Sequence, residues 1–139
     1  MINTNKKGLI VKKILAMAVL VSSLVFSAEV SKAEQIITMQ GLEAAMGMIQ
    51  KGFLRDNTVI LKMGTQSLKE NLNNINSFLI RSSSEGFNAK EYASTEVKAL
   101  NNLADEVSKS FVNGDKGTAR KKFDQALSQC IACHNIIRK

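Results

Sequence analysis

The chain has 139 residues, and its 19 Lys and Arg outnumber 12 Asp and Glu for a formal charge of +7. Apolar residues make up 45%, and proline and tryptophan are absent. This length allows one domain and not two. No basic run is longer than Arg120-Lys121-Lys122, which excludes a nucleic-acid-binding surface.

Lys6, Lys7, Lys12 and Lys13 form a basic front before an unbroken run of apolar and small residues from Ile14 to Phe26. The run has the length of a secretory h-region and is short for a membrane span. Ser31 and Ala33 stand at the −3 and −1 positions of a cleavage site. The reading is a signal peptide over residues 1–33 and a mature domain over 34–139, with a cut after Ser27 as second choice and an uncleaved anchor as the rival. No cysteine lies near either cut, so lipid attachment there is excluded. Removing residues 1–33, with their five lysines and Glu29, leaves 14 basic and 11 acidic residues, a net +3. The expected protein is exported to the periplasm and has no membrane association after cleavage.

Four blocks with helical spacing follow. Their apolar stripes are Met39, Leu42, Met46, Ile49, Phe53; then Leu61, Leu68, Leu72, Ile75, Leu79; then Ala93, Val97, Leu100, Ala104, Val107, Phe111; and last Phe123, Leu127, Cys130, His134, Ile137. Gly52 with Arg55-Asp56-Asn57-Thr58 reads as a stop and a new N-cap. Arg81 to Gly86 reads as a polar loop, and Asn113-Gly114-Asp115 as a second stop and start. Each stripe breaks too soon for one long coiled coil. The expected fold is all-α, an antiparallel up-down-up-down four-helix bundle. With six aromatic residues after the signal, its core is thin for a small domain.

Cys130 and Cys133 are the only cysteines and His134 is the only histidine, all within Cys130-Ile131-Ala132-Cys133-His134. In Cys-x-x-Cys-His, two thiols can form thioethers with the vinyl groups of haem, and the histidine can bind its iron as proximal ligand. Three duller readings compete. A thiol–disulfide motif belongs at a helix N-terminus, where the dipole lowers the thiol pKa, and here it closes a helix. A zinc site would lack a fourth ligand. A disulfide between residues three apart on a helix is strained and stabilises little. Covalently bound haem c fits the residues best, and it would also supply the apolar mass that the core lacks.

With these features the chain resembles the class II c-type cytochromes, the cytochrome c′ family, over essentially all of residues 34–139. The ending CIACHNIIRK is similar to the family's CxxCHxx(F/Y)R, with Ile137 in place of the usual aromatic residue and Arg138 matching the basic one. Gly47 to Gly52 resembles the family's end of helix A. The tryptophan often found before helix C is missing.

A single histidine excludes bis-histidine ligation. The remaining methionines are Met39, Met46, Met48 and Met63. In an up-down-up-down bundle the start of the first helix lies beside the end of the last, which favours Met39 over Met46 as sixth ligand, with Met63 weaker. The resemblance places the family's distal residue at Ile36, with Met39 packing one turn later, and so implies a five-coordinate iron under an apolar lid. It also implies that Arg138 influences ligand binding; the plainer reading of Arg138 is a terminal charge favourable to the helix dipole.

The functional expectation is one-electron transfer by a monohaem cytochrome with a redox partner protein. The alternative is a five-coordinate protein binding a small gas ligand, NO or CO. No constellation for nucleophilic or acid–base catalysis is visible, so an enzyme is not expected. Homodimerisation occurs in the family, and the sequence does not decide it.

Overall fold

The computed structural model describes residues 31–78, 80 and 86–137. The signal-like segment through Val30, Leu79, the loop Arg81 to Glu85, and Arg138 lie outside the described residues. Four helices run in order: α1 Lys32–Leu54, α2 Thr58–Ile75, α3 Ala89–Val112 and α4 Lys116–Ile137. No strand interrupts them among the described residues, and none of them is long and apolar enough to cross a membrane.

Side-chain caps start the helices, because the first backbone N–H groups of a helix have no partner inside it. Ser31 and Glu34 form a reciprocal capping box on α1: the Ser31 N–H donates to Glu34 Oε2 at 2.7 Å, and the Glu34 N–H to Ser31 Oγ at 3.2 Å. Asn57 accepts from the Ile60 N–H at 3.0 Å, Asn88 from that of Glu91 at 3.1 Å, and Asp115 from that of Thr118 at 2.9 Å. Gly114 adopts a φ of 82°, the left-handed conformation glycine tolerates after a helix end. The stop and start around Asn113-Gly114-Asp115 is therefore as expected.

Gly52 is not a stop. Helix α1 continues to Leu54, and Gly52 is buried inside it. A Cβ at Gly52 would lie 2.6 Å from that of Leu61, so the residue's role is close approach. Gly64 answers from α2, where an added Cβ would lie 2.7 Å from the backbone nitrogen of Ile49. With buried Ala45 and Thr65, these residues let α1 and α2 pack backbone to backbone.

Ile49, Leu61, Leu68, Leu72 and Val107 are the largest fully buried side chains. All six residues of the third stripe are buried, as expected. At the end of the bundle holding the α1–α2 and α3–α4 turns, Phe53 meets Phe111 edge-on at 5.3 Å and Phe123 at 5.7 Å. Ion pairs Lys69–Asp105 (α2–α3), Lys122–Glu106 (α3–α4) and Lys116–Asp56, each 2.6 Å, mark the register. As exposed pairs they add little stability individually.

The bundle is not evenly closed. Helix backbones approach closely between α1 and α2, α3 and α4, and α2 and α3, but not along α1 and α4. The fourth stripe reflects this. Phe123 is buried with Ala119 and Ala126, whereas Leu127, expected inside, is 44% exposed. A stripe buries its side chains only where a neighbouring helix comes close enough to cover them.

Candidate functional site

Cys130, Cys133 and His134 all lie on the last turns of α4, at the end of the bundle away from the phenylalanine cluster. At about 100° per residue, Cys133 stands about 60° to one side of Cys130 and His134 about 40° to the other. One arc of the helix therefore carries all three. Both sulfurs are free of any disulfide and half-buried, and Cys130 packs against the core cluster.

The two flanks of this arc face different surroundings. On one side, Lys122 pairs with Glu106 of α3. Counting ten residues from that pair in opposite directions brings Glu96 level with Ala132 and Cys133. Glu96 and Tyr92, one turn apart on α3, are partly buried there. Burial first, then the neighbouring Glu96 carboxylate, pushes the Tyr92 phenol pKa up. Burial is also the main cause raising both thiol pKa values, with the negative charge of Glu96 adding to it at each sulfur. Both shifts run opposite to that of a catalytic dithiol, whose attacking sulfur must be a thiolate.

On the other side, Phe123 touches Phe53 of α1. Leu127, Ile131 and His134 continue along this flank at steps of four and three, while Phe53, Met46 and Met39 repeat at sevens along the facing flank of α1. Leu127 is 44% and Ile131 54% exposed. Leu42, Met46 and Phe53 are packed against the core but only partly buried. The α1–α4 seam is thus an apolar strip that the helices leave partly uncovered, with the histidine on its edge.

The Phe53–Phe123 contact also sets heights. The two helices are antiparallel and rise equally, about 1.5 Å per residue. Seven residues from the contact, Met46 comes level with Cys130; eleven residues away, Leu42 comes level with His134. Met39 and Met46 therefore stand one turn either side of the height of His134, both partly buried. Ile36 lies nearer the helix start and is 50% exposed, and Met63 is 55% exposed on α2. Helix order alone favours Met39 in the sequence and does not single out Leu42. The heptad relation of Met46 and Phe53 was the signal available for this register, but it needed a known partner for Phe53.

Among the described residues, no three His, Cys, Asp or Glu side chains are grouped to hold a metal ion. The zinc alternative thus gains no fourth ligand there. A surface cleft of about 850 Å³ runs along α3 and α4 beside Leu103, Arg120 and Lys121, and neither cysteine nor His134 lines it. The residues present fit covalent haem: two half-buried sulfurs without a disulfide, a histidine on the same arc, and uncovered apolar side chains beside it. Comparison with family models, curated proteins and solved structures gave no significant match.

Proposed function

We propose that this protein is an exported monohaem c-type cytochrome of the cytochrome c′ kind, carrying one electron at a time to or from a redox partner protein. The observation that carries the reading is the Cys130, Cys133 and His134 arc beside an uncovered apolar seam. Bound haem would supply reversible one-electron iron chemistry. Cys130 and Cys133 would hold it through thioether bonds, and His134 would hold the iron.

The remaining work falls to side chains of this chain. Leu127 and Ile131 from α4, and Leu42, Met39 and Met46 from α1, would exclude water from the seam. A dry, apolar setting favours the state of lower net charge and so tunes the reduction potential. A methionine supplying its thioether sulfur as sixth ligand would raise the potential further and keep the geometry constant between oxidation states.

A second reading is supported by Leu42. The side chain level with His134 across the seam is aliphatic, which suits an open coordination position reached by small uncharged molecules such as NO or CO. The absorption spectrum separates the two readings. A low-spin ferric spectrum that does not change with CO in the reduced protein is expected for electron transfer with a methionine ligand. A high-spin spectrum that shifts with CO is expected for gas binding. A purified protein with no haem absorption would remove both.

A further inference from the structure

The end of the bundle opposite the cysteines gathers the turn from α1 to α2 and the turn from α3 to α4. The two turns adjoin. Lys116 at the start of α4 reaches Asp56 between α1 and α2 at 2.6 Å, and its ammonium lies 5.8 Å from the centre of the Phe111 ring of α3. Within about one helical turn of this end, residues 51–63 and 109–116 hold Lys51, Arg55, Lys62, Lys109 and Lys116 against Asp56 and Asp115. Their net charge of +3 equals that of residues 34–139 as a whole, so the rest of that domain is balanced. Asp56 is paired with Lys116 and Asp115 caps α4. Lys51, Arg55, Lys62 and Lys109 are exposed and carry no ion pair among the described residues. Apolar side chains stand among these cations: Leu54 is 81%, Val59 67%, Met63 55% and Val112 48% exposed. The close approach of Gly52 and Leu61, counted two residues toward the turn on each helix, sets Leu54 level with Val59. Met63 follows Val59 by one turn on the same face of α2.

We propose that this end of the bundle is a docking surface for an anionic lipid bilayer: Leu54, Val59, Met63 and Val112 enter its interfacial zone while Lys51, Arg55, Lys62 and Lys109 meet lipid phosphates. Binding of this kind grows with buried apolar area and with attraction to anionic headgroups. Four large apolar side chains gathered at one end differ from the scattered single residues of an ordinary surface. A second copy fits poorly, because the same positive charge would face itself. A folded acidic partner would need carboxylates fixed opposite four long, unpaired side chains, whereas mobile lipid headgroups adjust to them. No described helix can cross a membrane, and a surface contact needs no span. Surface docking departs from the sequence expectation of no membrane association, and it stands apart from the haem reading. A bundle docked this way points Cys130, Cys133 and His134 away from the bilayer.

The test uses the exported protein, its N-terminus fixed by intact mass, with phosphatidylcholine vesicles that contain about 30% phosphatidylglycerol or none. Sedimentation should carry the protein down with the anionic vesicles and not with the neutral ones. Salt at about 0.5 M should release most of it. Lys51→Gln with Lys62→Gln should weaken binding about tenfold or more. Lys90→Gln with Lys98→Gln removes the same charge from exposed positions of α3 nearer the cysteines. That pair should change binding less than about twofold. Leu54→Ser with Val59→Ser should also weaken binding. Both side chains are exposed, so the thermal midpoint should stay nearly unchanged.

The chain lacks tryptophan, so a single Val59→Trp reads the contact without removing any charge. Its emission should shift to the blue on anionic vesicles. Ile37→Trp, at a position 66% exposed near the start of α1, should not shift. A shift at Ile37 as large as that at Val59 would overturn the proposal, because the contact would then belong to the other end or to a retained leader. Equal losses for the two lysine pairs would overturn it as general charge attraction. Failure to bind anionic vesicles at low salt would overturn it outright, and retention on polyglutamate in their place would point to an acidic protein partner. Protein that carries no haem yet gives the Val59→Trp shift would defeat the cytochrome reading and leave the docking surface standing.

Discussion

Phe53 of α1 and Phe123 of α4 meet with ring centroids 5.7 Å apart, at the end of the bundle opposite the cysteines. The contact ties two helices whose backbones otherwise do not approach closely. It therefore decides which α1 side chains come level with His134, and these are Leu42 with Met39 and Met46 on either side.

That register predicts the outcome of two truncations in haem-loaded protein. If the iron takes a methionine, Met39→Ala or Met46→Ala must abolish the low-spin ferric spectrum, and only one of them should. If neither changes it, the sixth position holds neither of these methionines, and Leu42→Ala should instead increase CO affinity by opening the seam. Absorption spectroscopy with CO titration reads all three variants.

The backbone approach of α1 and α2 predicts a stability effect far from the cysteines. A methyl group at Gly64 would lie 2.7 Å from Ile49 N and 2.8 Å from its Cγ1. Gly64→Ala should therefore destabilise by about 1–3 kcal/mol despite its better helix propensity. Gly47, with nothing within 4 Å of an added Cβ, should gain a little stability as Ala. Opposite shifts in thermal midpoint would check the pair.

Capping makes a prediction about α2. Removing the Asn57 side chain by Asn57→Ala frees the Ile60 N–H that it accepts from at 3.0 Å. A loss of about 1 kcal/mol in urea unfolding is expected, with an unchanged m-value.

Acid sensitivity follows from Asp115, whose pKa is lowered from 3.8, chiefly by the Thr118 backbone hydrogen bond. A carboxyl depressed in the folded state contributes stability above its unfolded value. It loses that contribution as pH falls through the lower folded value. Asp115→Asn keeps a good cap without a titrating group, so it should leave neutral-pH stability nearly unchanged. Its stability should fall less steeply below about pH 4. Melting curves across pH 2–6 compare the two proteins, and parallel slopes would contradict the linkage.

The capping box bears on the proposed leader. A cut after Ala33 would discard Ser31, whose side chain caps α1, whereas a cut after Ser27 would keep it. Of the two cuts, the capping box therefore favours the one that would leave an N-terminus at Ala28, which intact-mass measurement would identify.

The helices were legible because a 3.6-residue period and Asn or Asp caps act locally. The third stripe is buried at all six positions, and Asn57, Asn113 and Gly114 mark helix ends as read. What failed was everything that depends on a neighbour. Gly52 carries the local mark of a helix stop, yet its place inside α1 follows from the approach of Leu61. Leu127 has the period of a core residue, yet the open α1–α4 seam leaves it exposed. Cys130, Cys133 and His134 were visible as a motif, since their spacing alone places them on one arc. Glu96 was invisible, because a glutamate on a helix is ordinary until the residue opposite it is known.

The central claim is that Cys130 and Cys133 carry a covalently bound haem, and the intact mass of the protein exported from cells competent for haem attachment tests it most directly. The account predicts a mass greater than that of the bare chain by one haem, with haem absorbance that survives denaturation and disappears in a Cys130→Ser, Cys133→Ser variant. A bare chain with two alkylatable thiols from the same cells would contradict it.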